Sequence, residues 1–170
     1  TLPSSSERIS QFTLFAAAHA QRIFQNLDFA RYTHSNHTIS EAFGLWLAGS
    51  LFPELRGADK YRATGRRILE TEMEKQFFAD GGYAMYSLNY QRHSLHLYLA
   101  AIRLGERLGQ PFPEETRARF ARSIDFLVHM LHCLGENLPC FGSNDGSLVL
   151  PLNNCDYGDF RPLVQAGHYL

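Results

Sequence analysis

Cysteine is scarce in this chain, three in 170 residues, and Cys133, Cys140 and Cys155 show no C-x-x-C spacing. A zinc site needs four clustered ligands, or three plus water, so no metal and no cofactor is expected. A Cys133–Cys140 disulfide stays open at this point, since spacing alone does not settle a pairing. Net charge is also nearly absent, at −1. No global basic field exists to attract nucleic acid, and an acidic partner would have to be met by a few placed groups. Long apolar runs are missing too. The longest, 43–55, falls short of the roughly 18 residues of a membrane helix and stops at Pro53, so no membrane partner is expected. There is no secretory signal. The chain opens on Thr1, from which we expect that an N-terminal region has been removed, and silence about targeting carries no information.

What is present is ordinary for a globular protein, 45% hydrophobic and 19% charged, and long enough to bury a substantial core. Five helices can be read from period and punctuation. The first, over 5–29, opens on a Ser4/Glu7 capping box and carries Ile9, Phe12, Ala16, His19, Ile23 and Leu27 at three-four spacing. The second, over 38–52, repeats the capping-box pattern with Thr38 and Glu41; its stripe is Ile39, Phe43, Trp46, Leu47 and Leu51. The third spans 59–78, with Tyr61, Ile68, Leu69 and Met73 inward, and halts at the turn signal Asp80-Gly81-Gly82. The fourth spans 89–108 through Leu95, Leu99 and Ile102. The fifth starts at Pro113, suited to a first turn, and runs to 134 through Phe120, Ile124, Leu127 and Leu131.

Residues 1–135 therefore read as one all-α segment and 136–170 as a loop-rich tail with one short strand at 148–150. Loops of that length are uncommon inside a compact domain and are often functional, or adjoin another domain. A weak internal repeat supports stacked helix hairpins. Leu47-Ala48-Gly49 leading to Phe52-Pro53-Glu54 parallels Arg103-Leu104-Gly105 leading to Phe112-Pro113-Glu114, about one two-helix unit apart. Five helices are too few to close a ring of such pairs.

Polar groups crowd two helix starts, His34-Ser35-Asn36-His37-Thr38 and Ser87-Leu88-Asn89-Tyr90-Gln91-Arg92-His93. A helix N-terminus offers free N–H groups and partial positive charge, a natural seat for a carboxylate. Asn36 can donate through its amide and His37 can exchange a proton near neutrality. Tyr90 and His93 lie three apart and share a face. A phenol beside cationic Arg92 or His93 would have its pKa lowered, which suits proton transfer. Asparagine, histidine, tyrosine and arginine in one cleft are what β-elimination from a uronic acid requires: the carboxylate is neutralised, the adjacent proton removed, and the departing oxygen protonated.

Each residue also has a plainer reading. Asn36 serves as a helix N-cap, His37 as a surface histidine, Tyr90 as a packed aromatic with a wet hydroxyl. Arg92 and His93 would be solvated cations, and Asp145 a residue chosen by its turn. Trp46, on an apolar stripe, reads as core rather than as a sugar-stacking ring.

The ordered blocks Asn36-His37, Ala42-Phe43-Gly44-Leu45, Phe52-Pro53-Glu54-Leu55, Glu72-Met73-Glu74-Lys75-Gln76, Asp80-Gly81-Gly82 and Ser87-Leu88-Asn89-Tyr90-Gln91-Arg92 resemble the helical domain of the heparinase II/III-like polysaccharide lyases and their alginate-lyase relatives, over about Arg8 to Gly146. That resemblance implies an incomplete α/α toroid of antiparallel helix hairpins, followed in the whole protein by a β-sandwich. It also implies an acidic polysaccharide substrate and a periplasmic or extracellular, bacterial setting. The carboxylate-neutralising asparagine maps to Asn36, its neighbouring histidine to His37 and the catalytic tyrosine to Tyr90; Arg92, His93 and Asp145, read from their own positions, are candidate substrate-binding residues. Two departures stand out: Ser35 where a second asparagine is common, and Gln91 where histidine is more usual. A further catalytic histidine or tyrosine is supplied from beyond the resembling segment. Two rival readings remain, a glycoside hydrolase using Asp80 and Asp145 as its carboxylates, and a non-catalytic helical module that binds glycan or protein.

Overall fold

A computed structural model describes residues 4–135 and 138–170. They form six helices: α1 Ser5–Thr33, α2 Asn36–Leu51, α3 Ala58–Gln76, α4 Leu88–Arg107, α5 Glu114–Leu134 and α6 Arg161–His168. The all-α class expected from periodicity is the one observed. The chain divides into two compact units, one through Leu69 and one from Glu70 to Leu170. The expected boundary after residue 135 adjoins Glu136 and Asn137, which lie outside the described residues.

In the first unit, α1 opens on the expected box: Ser4 Oγ accepts from Glu7 N and the Glu7 carboxylate accepts from Ser4 N. The helix continues four residues past the expected end and stops where His34 adopts a left-handed conformation at φ 46°. Only His34 and Ser35 separate it from α2, so the chain folds straight back. Thr38 Oγ1 donates to Ala30 O near the turn, Ile23 reaches Gly44, and Phe12 meets Phe52 at the far end. Contacts in that order define an antiparallel hairpin. The buried seam of α1 is Ala20, Leu27 and Ala30; Ile9 and Phe12, expected inward, are 67% and 59% exposed.

Close approach of α2 to the start of α3 is set by glycine. A Cβ on Gly65 would lie 2.4 Å from Ala42 O and 2.5 Å from Trp46 N, and one on Gly49 would lie 2.3 Å from Ala58 O. Each helix thus lends a glycine to the other's backbone. Trp46 is fully buried there, which makes it core and removes it from any sugar-stacking role.

The second unit is built on α4, whose hydrophobic side places Leu95, Ala101 and Ile102 in the core with Phe120, Ile124 and Leu127 of α5. Gly81, at φ +91°, sits against Arg122 O, where a side chain would not fit. Gln91 Nε2 and Ser123 Oγ both donate to Gly81 O, at 3.0 and 2.8 Å. Glutamine at position 91 therefore pins the 80–82 turn to α4. A second buried network runs from Glu72 through Gln76 and the Tyr83 hydroxyl to Ser94.

The tail differs from expectation. No strand forms at 148–150; the Leu150 N–H is taken by His96 Nδ1 at 3.3 Å instead of by a neighbouring strand. Eight residues coil into α6, which packs on α5 and α4 with Leu163 buried. Its start is held by Asp159, which accepts from Arg161 N and from the Arg161 guanidinium. That ion pair holds the Asp159 carboxyl at about 2. The three cysteines are free and exposed, so Cys133 and Cys140 are not bridged.

Candidate functional site

At the start of α2 the residues build the site from the turn outward. Ser35, not Asn36, is the N-cap, its Oγ accepting from His37 N at 3.4 Å and lying 2.8 Å from Thr33 Oγ1. Thr33 and Thr38 hydroxyls both donate to Ala30 O at 2.7 Å. The Thr38/Glu41 box expected from sequence does not form, because Thr38 is already inside the helix and its hydroxyl points back to α1. Serine in place of asparagine at position 35 costs the fold little, since both are strong caps. Asn36 is the first helical residue, 7% exposed, with its carbonyl accepting from Ser40 Oγ. His37 is exposed. One turn on, Glu41 is half-buried; burial raises its carboxyl, and His37 beside it works the other way.

At the start of α4, Ser87 caps Tyr90 N at 3.1 Å and donates to Ser143 O at 2.6 Å. The tail is moored here. Leu88 N donates to Phe141 O, Asn89 Nδ2 to Asp145 Oδ1 at 3.2 Å, and the His93 ring lies 3.3 Å from Ser147 Oγ. The Tyr157 hydroxyl reaches Asn89 Oδ1 and, at 2.7 Å, Asn144 Oδ1. Four of the expected residues, Tyr90, Arg92, His93 and Asp145, therefore share this one cluster.

Arg92 is not a solvated cation. It is 2% exposed, lies over the rings of Tyr157 and Phe160 at 4.1 and 4.5 Å, and donates to Tyr157 O and Asn89 Oδ1. Its guanidinium ties the tail to α4. Burial lowers its pKa and Tyr157 opposes that. Nor is the Tyr90 phenol acidified. Its pKa is raised, first by partial burial, then by the charge and hydrogen bond of Asp145 and by Tyr157. The expected lowering fails because burial works against the phenolate and because Arg92 turns inward to Tyr157, so that the charge acting on Tyr90 is that of Asp145. His96, one turn further in, is pushed down to about 4 by burial and by Arg92 and His93.

Asn89, Asn144, Ser147 and Tyr157 belong to this cluster and carry no periodic or spacing signal; only Asn89 lies inside a recognisable block. Asp80 and Asp145 are not paired: Asp80 accepts from Gly82 N in its own turn. No group of three histidine, cysteine or carboxylate side chains suited to a metal occurs among the described residues.

Comparison with known proteins gives one consistent result. A family model described as Heparinase II/III N-terminus matches residues 4–149. The chain is 27% identical over 141 residues to a heparin-sulfate lyase of Bacteroides thetaiotaomicron, which covers 82% of the chain and 19% of that protein. It is 29% identical over 114 residues to a heparin-sulfate lyase of Pedobacter heparinus, covering 64% and 17%. The crystal structure of heparinase III is similar at a TM-score of 0.53 and 28% identity, over 56% of this chain and 15% of that one. The chain spans under a fifth of the curated relatives it matches.

Proposed function

The chain belongs to the heparinase II/III family, and from that premise we propose that it is the helical part of a polysaccharide lyase acting on a uronic-acid-containing polysaccharide by β-elimination. In the whole protein it would contribute to an incomplete α/α toroid preceding a β-sandwich, in a periplasmic or extracellular setting.

Elimination asks three things of a site. The uronate charge must be neutralised so that the neighbouring proton becomes acidic, a base must take that proton, and the departing glycosidic oxygen must receive one. Asn36, fixed at the start of α2 behind the Ser35 cap, supplies the amide donor for the carboxylate. His37, exposed beside it, adds a second donor. Tyr90 supplies the proton to the leaving oxygen. The observation that carries the reading is the half-exposed Tyr90 phenol, presented at the start of α4 by a tail bonded to Ser87, Leu88 and Asn89. His93, whose ring lies 3.3 Å from Ser147 Oγ, would be the substrate-binding residue of that cluster. Arg92 contributes by fixing the tail and not by gripping sugar.

In the full-length enzyme, Tyr90→Phe and Asn36→Ala should each lower turnover by about 10²- to 10⁴-fold, the range of a lost acid or a lost oxyanion-type donor, with circular dichroism unchanged. The assay is ultraviolet absorbance of unsaturated uronate ends. Wild-type rates from Tyr90→Phe would end this assignment, and saturated reducing ends would indicate a hydrolase.

A further inference from the structure

Asn89 is 3% exposed, and every hydrogen-bonding position of its amide is taken. Its Nδ2 donates to Asp145 Oδ1 at 3.2 Å and to Ser147 Oγ at 3.4 Å. Its Oδ1 accepts from Arg92 Nη2 at 3.2 Å and from the Tyr157 hydroxyl. A carboxylate only accepts and a guanidinium only donates, so the amide between them has one workable orientation. Aspartate in its place would offer Asp145 no donor. The turn that Asn89 holds borders Tyr90 on the helix surface. Ser87, three residues before Tyr90, bonds Ser143 O; Asn89, one before, bonds Asp145 and Ser147; His93, three after, lies against Ser147. Asn144, Asp145 and Gly146 at the tip are exposed, and Gly146 faces open space. The half-exposed Tyr90 side chain therefore has a polar wall beside it, made from a segment with no helix or strand to stiffen it. Loops serve recognition when a rigid scaffold fixes them, and the buried Asn89 amide ties this one both to α4 and to the far end of the tail at Tyr157.

We propose that Asn89 is a positioning residue for substrate binding: its amide sets the 143–147 turn as a fixed wall beside Tyr90, against which the sugar chain is held. This rests on the reading of Tyr90 as proton donor, and it gives Asn89 no part in the proton transfer. The amide stands between the Arg92 guanidinium and the Asp145 carboxylate and bonds both, so the turn keeps its place while the cation stays inward. Tyr90 N remains capped by Ser87 whatever stands at position 89. Loss of the Asn89 donor therefore costs binding and not chemistry.

The test uses the full-length protein. Asn89→Asp keeps acceptors for Arg92 and Tyr157 but puts an anion where Asp145 had a donor. Hydrogen–deuterium exchange at the Gly146 and Ser147 amides, which are bonded within the turn, should quicken, with exchange along α4 unchanged. KM should rise about tenfold, the scale of one or two lost hydrogen bonds, while kcat changes little. The reciprocal pair, Asn89→Asp with Asp145→Asn, remakes the bond with its polarity reversed and should recover slow exchange in the turn. If Asn89→Asp misfolds, Ser147→Ala removes one Asn89 partner from outside the helices and should quicken exchange in the same turn. Unchanged turn exchange in the folded single variant overturns the proposal. So does a fall in kcat that matches the fall in kcat/KM, which would put Asn89 in the chemistry or the fold. A turn that loosens and a KM that rises in an enzyme indifferent to Tyr90→Phe would sink the donor reading and leave the Asn89 wall standing.

Discussion

Tyr90 and His96 show how neighbours, rather than residue type, set chemistry. Tyr90 is a common packed aromatic in any helix; here partial burial first, and then the charge of Asp145, pushes its phenol up. His96, 1% exposed, accepts the Leu150 N–H through Nδ1 and must stay neutral to do so. Its folded pKa of about 4 lies below the ordinary 6.5. The unfolded chain therefore binds more protons in that window. Stability is fully present above pH 6.5 and falls as pH drops toward 4, by on the order of 3 kcal/mol. Glu41, raised by burial, works weakly in the opposite direction, and Asp159, at about 2, gives way only at lower pH. Thermal melts between pH 7 and 4 should record the loss, and His96→Gln, which can still accept the N–H, should flatten it.

Among the elements, the α2–α3 contact depends on two glycines more than on its apolar stripes. Gly65→Ala would gain up to about 1 kcal/mol of helix propensity. Against that, a methyl within 2.4–2.5 Å of Ala42 O and Trp46 N meets backbone that cannot step aside, and overpacking of this kind costs about 1–3 kcal/mol or more. The clash wins. Urea unfolding should show net destabilisation for Gly65→Ala and Gly49→Ala, whereas Gly44→Ala, facing only the end of the Ile23 side chain at 3.3 Å, should be close to neutral. The internal repeat noticed in the sequence has its explanation here. Gly49 and Gly105 each stand where backbone closes in, Gly105 against Gln110 O at 2.9 Å. A cap was misplaced by the same logic. Thr38-x-x-Glu41 is a sound box on paper, but Ser35 lies one turn earlier and takes the cap first.

At the scale of the whole molecule, a family match over 4–149 and coverage of under a fifth of the curated relatives bear on what this chain can do by itself. On the proposed assignment Asn36 and Tyr90 would supply a neutralising donor and an acid, and the raised pKa of the phenol argues against it as base. The 170-residue chain alone should therefore release no unsaturated uronate ends from an acidic polysaccharide, while the full-length protein does. Turnover by the chain alone would show that its base lies among these residues. With a net charge of −1, this chain has no long-range field to draw in an anion, so any acidic polysaccharide would have to be met by local donors.

The sequence by itself determined the five long helices, most of the core between Ile39 and Leu127 (Leu51, expected inward, is 47% exposed), and the two helix starts where polar groups gather. Helical period and capping are local: they follow from which side chains stand three and four apart and which hydroxyl precedes them. Tertiary structure alone decided what the tail does, why Arg92 is inside, and that Asp145 and Tyr157 flank Tyr90. Those contacts join residues more than fifty positions apart, through a segment with no period, and α6 is too short for period to reveal. Their energy comes from hydrogen bonds that exist only once α4 and α5 have packed and given the tail a surface to lie on.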